Sequence, residues 1–155
     1  MILTNNMGSS IRIINASPEN IDEIFEIETE SFTCPWTRSN FVSAFSAGNT
    51  EIFALQSDEG SILGFACLLI IDYEAEILNI AVRQNYRKNG YGKMLLDHAL
   101  EICVLRGISS VFLEVRESNV SARSLYDKAG FEVIGIRKKY YVSPVEDAIL
   151  MMKTI

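Results

Sequence analysis

Residues 79–93 read Asn79-Ile80-Ala81-Val82-Arg83-Gln84-Asn85-Tyr86-Arg87-Lys88-Asn89-Gly90-Tyr91-Gly92-Lys93. The apolar-rich stretch Glu76–Val82 ends in a basic loop with two glycines. Leu95, Leu96, Ala99, Leu100 and Cys103 then recur at helical spacing until Gly107. This is a strand that turns through glycine into a long helix. Glycine allows a tight turn and a close backbone approach to a ligand. The helix start offers unpaired N–H groups and the positive end of the dipole, which suit a phosphate. Arg87, Lys88 and Lys93 add charge. The common nucleotide loops do not fit. A Walker loop needs Gly at 87 and Ser or Thr at 94, which are Arg and Met; a dinucleotide fingerprint needs Gly or Ala at 95, which is Leu. On local chemistry alone the segment is either a phosphate cradle or an ordinary turn and helix cap.

Outward from this loop, strands and helices alternate. On the N-terminal side, Ser10–Ile14 alternates as a strand. Ser17-Pro18 opens a helix with Ile21, Ile24, Phe25 and Ile27 on its apolar side. Thr37 caps a second, short helix carrying Phe41, Val42 and Phe45. Glu51–Ser57 and Ser61–Ile71 flank Asp58-Glu59-Gly60, a hairpin signal. On the C-terminal side, Ser109–Val115 is a buried strand. Ala122, Leu125, Tyr126 and Ala129 mark a helix stopped by Gly130, and strands follow at about Glu132–Tyr140 and Asp147–Met152. The order predicts one mixed-sheet α/β domain over residues 11–155, with about seven strands and about four helices. Residues 1–10 are polar and patternless and read as a loose, disordered tail.

The chain has 155 residues, 48% apolar and 22% charged, with net charge −6. One domain of this length folds without a metal or disulfide. The acidic balance argues against a whole-surface nucleic-acid binder and suits a basic partner. Cys34, Cys67 and Cys103 form no CxxC and cannot all pair within the chain, which fits reduced thiols in the cytoplasm. The N-terminus has no signal-peptide pattern. The ten-residue run Ile62–Ile71 is too short for a membrane helix, which needs ~20. His98 is the only histidine, so neither a Cys34–His pair nor a zinc site is expected.

Arg87-x-x-Gly90-x-Gly92 resembles the acetyl-CoA pyrophosphate loop of the GNAT N-acetyltransferases. Asn79-Ile80-Ala81-Val82, Leu113-Glu114-Val115-Arg116 with Asn119, and Leu125-Tyr126-x-x-x-Gly130-Phe131 follow in the family's order. With Cys34-Pro35-Trp36-Thr37 and Arg137-Lys138-x-Tyr140-Tyr141…Glu146-Asp147-Ala148, the chain is similar to the RimI type, the bacterial ribosomal-protein alanine N-acetyltransferases. The resemblance covers about residues 11–153. It implies a GNAT-like sheet splayed between its fourth and fifth strands, here 76–82 and 109–115, with acetyl-CoA as co-substrate lying in the split. Pantetheine would pair with the backbone of Ile80, Ala81 and Val82, as an added strand does. The pyrophosphate would sit over Arg87, Lys88, Asn89, Gly90, Tyr91, Gly92 and Lys93. Asn119 would contact the cofactor, though Asn is also a good helix N-cap.

The implied chemistry needs a base, because an α-amine with a reference pKa of ~8 is mostly protonated at neutral pH. The resemblance assigns the base to Glu114, whose strand neighbours Val111, Phe112, Leu113 and Val115 suggest partial desolvation. On the residues alone it could equally be a strand-edge Glu paired with Arg116 or a Lys. Tyr126 is the implied acid for the departing thiolate, or else a packing residue. Trp36, Tyr140 and Tyr141 fall on implied peptide-facing segments, and Glu74, Glu76, Glu146 and Asp147 are candidate carboxylates for the acceptor's amine or basic side chains, or else solvated surface charges; Trp36 could instead only pack between the first two helices. The expected partner is the N-terminal segment of a ribosomal protein, with no nucleic acid, membrane or metal. The oligomeric state is not legible. The alternatives are acetylation of a small amine such as a polyamine or drug, and a non-catalytic acetyl-CoA-binding regulator.

Overall fold

In chain order the elements are β1 (Ile2–Thr4), β2 (Ser10–Asn15), α1 (Ile21–Ser31), α2 (Arg38–Ser46), β3 (Thr50–Ser57), β4 (Ile62–Ile71), β5 (Glu74–Val82), α3 (Tyr91–Leu105), β6 (Ser110–Arg116), α4 (Val120–Lys128), β7 (Glu132–Val142) and β8 (Val145–Thr154). The structure is a computed structural model describing the backbone of residues 2–4 and all of residues 8–155. The strands form one sheet in the order β1-β2-β3-β4-β5-β6-β8-β7. β5 and β6 are parallel, and the other neighbours are antiparallel. The seven expected strands are β2–β8. The eighth, β1, corrects the expected loose tail: Ile2–Thr4 pairs with Ser10–Arg12, using the outer backbone edge that β2 leaves open. The rest of the tail before Gly8 lies outside the described residues.

Local signals explain the helix starts. Thr37 Oγ1 accepts the Asn40 N–H at 3.1 Å and Asn40 Oδ1 accepts the Thr37 N–H at 2.8 Å, so the expected cap is a reciprocal capping box. α3 begins directly after Gly90, whose φ of 80° lies in the left-handed region that favours glycine. Leu95 and Leu96 then bury fully against the sheet, each worth ~1.5–3 kcal/mol. The exposed Lys93–Asp97 pair on the same helix adds only ~0.3–0.5 kcal/mol. Burial, not charge pairing, therefore holds α3 in place.

The sheet has a core on each face. One joins α1 and α2 to it through Ile24, Ile27, Phe41 and Phe65; the other holds α3, with Leu95, Leu96, Tyr126 and Phe131. The central pair sets up the site. β5 and β6 are paired from Glu74↔Ser110 to Ile77↔Leu113 and then part. Beyond that point β6 keeps β8, and β5 keeps β4. The β4–β5 register shifts by one residue at Leu78. Leu78 packs in the α1-side core and Asn79 bonds to α1, so this bulge turns two successive side chains toward α1. The result is the expected split between the fourth and fifth of the anticipated strands, with one edge of β5 uncovered.

Candidate active site

Two cavities meet where β5 and β6 part. The larger, about 320 Å³, includes Glu28, Trp36, Glu76 and Tyr140 in its walls. The smaller, about 190 Å³, includes Ile80, Asn119 and Tyr126. Thr33, Asn79, Glu114, Arg116 and Tyr141 line both. The split therefore brings Glu114, Tyr126, Asn119, Ile80, Trp36, Glu76, Tyr140 and Tyr141 to one place.

Strand alternation positions Glu114. Val111, Leu113 and Val115 are buried, while Phe112, Glu114 and Arg116 lie on the more open face. Of the apolar neighbours read from the sequence, Val111, Leu113 and Val115 thus turn away from the carboxylate and only Phe112 shares its face. Its charged neighbours come from elsewhere: Arg137 Nε is 3.3 Å from Glu114 Oε1, and Glu76 stands close on β5. Burial, with the adjacent Glu114, pushes the Glu76 carboxyl above its ordinary value, and Arg137 pulls it partly back. The ion-pair partner of Glu114 is thus Arg137, not the Arg116 or Lys that its strand position suggested.

Tyr126 is buried on α4, with its ring edge-on to Phe131 at 5.8 Å. Burial, with Tyr141 nearby, pushes its hydroxyl up to about 12. Tyr141 is raised too, by burial first and then by Glu114. Asn119 is the N-cap of α4, its Oδ1 accepting the Ala122 N–H at 3.2 Å, and it also lines the smaller cavity. Trp36 likewise combines both readings: its ring packs on Phe41 at 5.2 Å and it lines the larger cavity.

Sequence reasoning missed Glu28. It is 1% exposed, on the apolar side of α1, and lines the larger cavity. Its Oε1 accepts the Trp36 N–H at 2.9 Å, and Asn79 Nδ2 lies 3.1 Å from both carboxylate oxygens. Burial raises its carboxyl despite these bonds. The signal was present: Glu28 follows Ile21, Ile24 and Ile27 at helical spacing, where a charge is out of pattern. The roles of Thr33, Asn79 and Arg137 side chains were missed as well.

The glycine loop lies at the C-terminal end of β5, beyond the two cavities. Met94 donates the first N–H taken up within α3, to Gly90 O, so the N–H groups of the preceding turn are left for a ligand. No Cβ built at Gly90 would meet an atom within 4 Å, so the loop surface there is open. Lys88 also holds a positive φ, 64°. The side chains are less available than the sequence suggested. Arg87 donates to Val82 O at 2.9 Å and to Ser31 Oγ at 3.1 Å, and Asn89 donates to Tyr86 O and Arg87 O. Tyr91 is in the core, Lys93 pairs with Asp97, and the Ala81 and Val82 side chains are buried. What these residues offer is main chain, which fits an extended, phosphate-bearing ligand on β5 and the α3 N-terminus. Among the described residues no group of three acidic, His or Cys side chains forms a metal site, and no helix is long and apolar enough to cross a membrane.

The Acetyltransferase (GNAT) family model matches residues 21–131. A Bacillus subtilis protein, named provisionally as a [ribosomal protein bS18]-alanine N-acetyltransferase, is 36% identical over 96% of this chain and 99% of its own length. The Haemophilus ducreyi protein named [ribosomal protein bS18]-alanine N-acetyltransferase is 35% identical over 86% of this chain and 92% of its own. The crystal structure of the ribosomal-protein-S18-alanine N-acetyltransferase from Escherichia coli superposes with a TM-score of 0.87 at 32% identity, covering 94% of each chain. With the split sheet, the glycine loop and these relatives together, the chain belongs to the GNAT family of acetyltransferases, in its RimI-type branch.

Proposed function

We propose that this protein transfers the acetyl group of acetyl-CoA to the N-terminal α-amine of a ribosomal protein beginning with Ala, in the cytoplasm. The observation that carries this reading is the placement of Glu114 and Tyr126 on the walls of one cavity beside the uncovered edge of β5. The names of the similar bacterial proteins supply the acceptor. Acetyl-CoA supplies an activated thioester; the backbone of Ile80, Ala81 and Val82 aligns its arm, and the N–H groups of Lys88–Lys93 take its phosphates. Asn119 contacts the same arm.

In this mechanism Glu114 accepts the proton of the incoming ammonium, directly or through water, freeing the lone pair for attack. Tyr126 remains protonated across the neutral range, so a donor always faces the departing sulfur. Full proton transfer from a hydroxyl near 12 to a thiolate of ordinary basicity, ~8.5, is uphill. The first contribution of Tyr126 is accordingly a hydrogen bond to developing charge, with the proton following as the sulfur leaves. Trp36, Tyr140 and Tyr141 form apolar walls for the acceptor's first residues, and Glu76 supplies a carboxylate toward its positive charge.

Acetyl transfer measured by mass spectrometry tests the reading. The acceptors are an Ala-starting basic peptide, its N-blocked twin and spermine. Transfer to the free peptide alone supports the proposal. Transfer to spermine alone overturns it in favour of a small-amine enzyme, and saturable acetyl-CoA binding with no transfer at all overturns the acceptor assignment.

A further inference from the structure

Arg116 lies two residues beyond Glu114 on β6 and faces both cavities. Its Nη2 donates to Thr33 Oγ1 at 2.8 Å and to Ser143 O at 3.4 Å. Its Nη1 reaches Glu146 Oε2 at 3.3 Å and Pro144 O at 3.4 Å. The guanidinium also lies 4.0 Å over the Tyr141 ring. These partners belong to two separate walls. Thr33 is on the segment joining α1 to α2; Tyr141 and residues 143–146 form the end of the β7–β8 hairpin. The strand pairings include no ladder between those walls among the described residues.

The contact is built to hold. The Arg116 and Glu146 side chains are only 19% and 12% exposed, so solvent screens them less than a surface pair. Glu146 is itself anchored, its Oε1 accepting the Ser118 N–H. A planar fork with five donors can serve Thr33, Glu146 and two carbonyls at once while stacking on an aromatic ring. A lysine at this position keeps the charge toward Glu146 but has no fork.

We infer that Arg116 is a positioning residue for the acceptor: by tying Thr33 to the 143–146 turn it sets the width of the cleft that the acceptor enters. This rests on the proposed acetyl transfer at the same site. It gives Arg116 no part in proton transfer.

The test is steady-state kinetics with the Ala peptide, together with acetyl-CoA binding and thermal melting. The variants are Arg116→Lys, Thr33→Val and the two combined. Arg116→Lys is expected to raise the peptide KM about tenfold, the scale of lost charge-assisted hydrogen bonds, with kcat and the acetyl-CoA Kd within about threefold of wild type. Thr33→Val is expected to raise the peptide KM about threefold alone and to add nothing in the Arg116→Lys background, where that bond is already gone. A purely structural role would lower the melting temperature and kcat and leave the peptide KM unchanged, which overturns the inference. So does an acetyl-CoA Kd that rises as much as the peptide KM. If Arg116→Lys does not fold, Thr33→Val decides, and an unchanged peptide KM there overturns it. If wild type rejects the peptide and acetylates spermine, the acceptor reading has failed on its own. The same variants are then measured on spermine, where a raised KM upholds the positioning role and an unchanged KM refutes it.

Discussion

Asn79 Nδ2 stands 3.1 Å from both carboxylate oxygens of Glu28, joining β5 to α1 at the head of the split. The same carboxylate takes the Trp36 N–H at 2.9 Å. One buried side chain thereby fixes the bulged part of β5 and the segment that carries Trp36 toward the larger cavity. This arrangement predicts a large stability effect from a residue outside the proposed chemistry. Glu28→Ala leaves two donors unpaired, the buried Asn79 amide and the half-buried Trp36 N–H, each costing ~1–3 kcal/mol. The total, about 2–6 kcal/mol, corresponds to a melting temperature roughly 4–24 °C lower for a chain of this size. A thermal melt within a degree or two of wild type would refute the arrangement.

Glu28 also makes stability depend on pH. Its carboxyl is raised in the folded protein, so the folded state binds the proton more tightly than the unfolded state does. Between the ordinary carboxylate value and the raised one, the folded state holds more protons. Stability therefore falls as pH rises through that window. Glu76 is raised as well and contributes with the same sign. Glu28→Gln is expected to reduce the slope without abolishing it. Urea unfolding at a series of pH values from 4 to 7 measures the slope, and an unchanged slope in the variant would count against the buried carboxylate.

The sequence made most of the frame legible because its signals are local. The Thr37 cap, the Gly90 turn and the apolar runs each act within a few residues, and all appear where expected. The split needed more than periodicity: a strand pattern does not say where two parallel strands cease to pair, and only the family resemblance supplied it. β1 was missed because three residues followed by polar sequence carry little pattern, and an open β2 edge forms only after folding. The ion-pair partner of Glu114 was missed for a related reason. Its neighbours in sequence point away, and Arg137 arrives from β7, 23 positions later and across β8 in the sheet. Arg116 shows the same limit, since Thr33 lies 83 positions before it.

Arg137 is predicted to set the acid limb of the pH–rate profile. It sits 3.3 Å from Glu114 and lowers the otherwise raised Glu76 carboxyl. Removing the cation lets Glu76 rise further, so its ionised form is lost at a higher pH. For Arg137→Gln the acid limb of kcat/KM moves upward in pH, while thermal stability changes little because the Arg137 side chain is half exposed. A limb that stays in place would remove Glu76 from the groups that control turnover.

Gly90 provides a test of the loop that does not depend on the acceptor. At φ 80° an alanine is strained by about 1 kcal/mol, although its Cβ would meet nothing within 4 Å. The strain falls on the backbone whose N–H groups are proposed to take phosphate. Gly90→Ala is expected to weaken acetyl-CoA binding about tenfold, with only a small loss of stability. Gly107, at φ 69° beyond the far end of α3, is the control: Gly107→Ala carries similar strain and leaves acetyl-CoA binding unchanged. Equal binding by both variants would discard the loop as the phosphate site.

Glu114 and Tyr126 are separable by pH as well as by rate. Glu114→Gln and Tyr126→Phe are each expected to lower kcat on the order of 10²–10⁴-fold, with acetyl-CoA binding preserved. Their effects should not simply multiply, since the two groups serve one transfer. A Tyr126 hydroxyl near 12 does not titrate in an assay run from pH 6 to 10. Tyr126→Phe therefore lowers the whole pH–rate curve without changing its shape. Loss of the base instead removes the group that takes the amine's proton, so the profile of Glu114→Gln should follow the amine's own titration and rise toward high pH. If Tyr126→Phe reshaped the curve below pH 10, the hydroxyl would have to titrate in that range, which contradicts its burial against Phe131 and the role proposed for it.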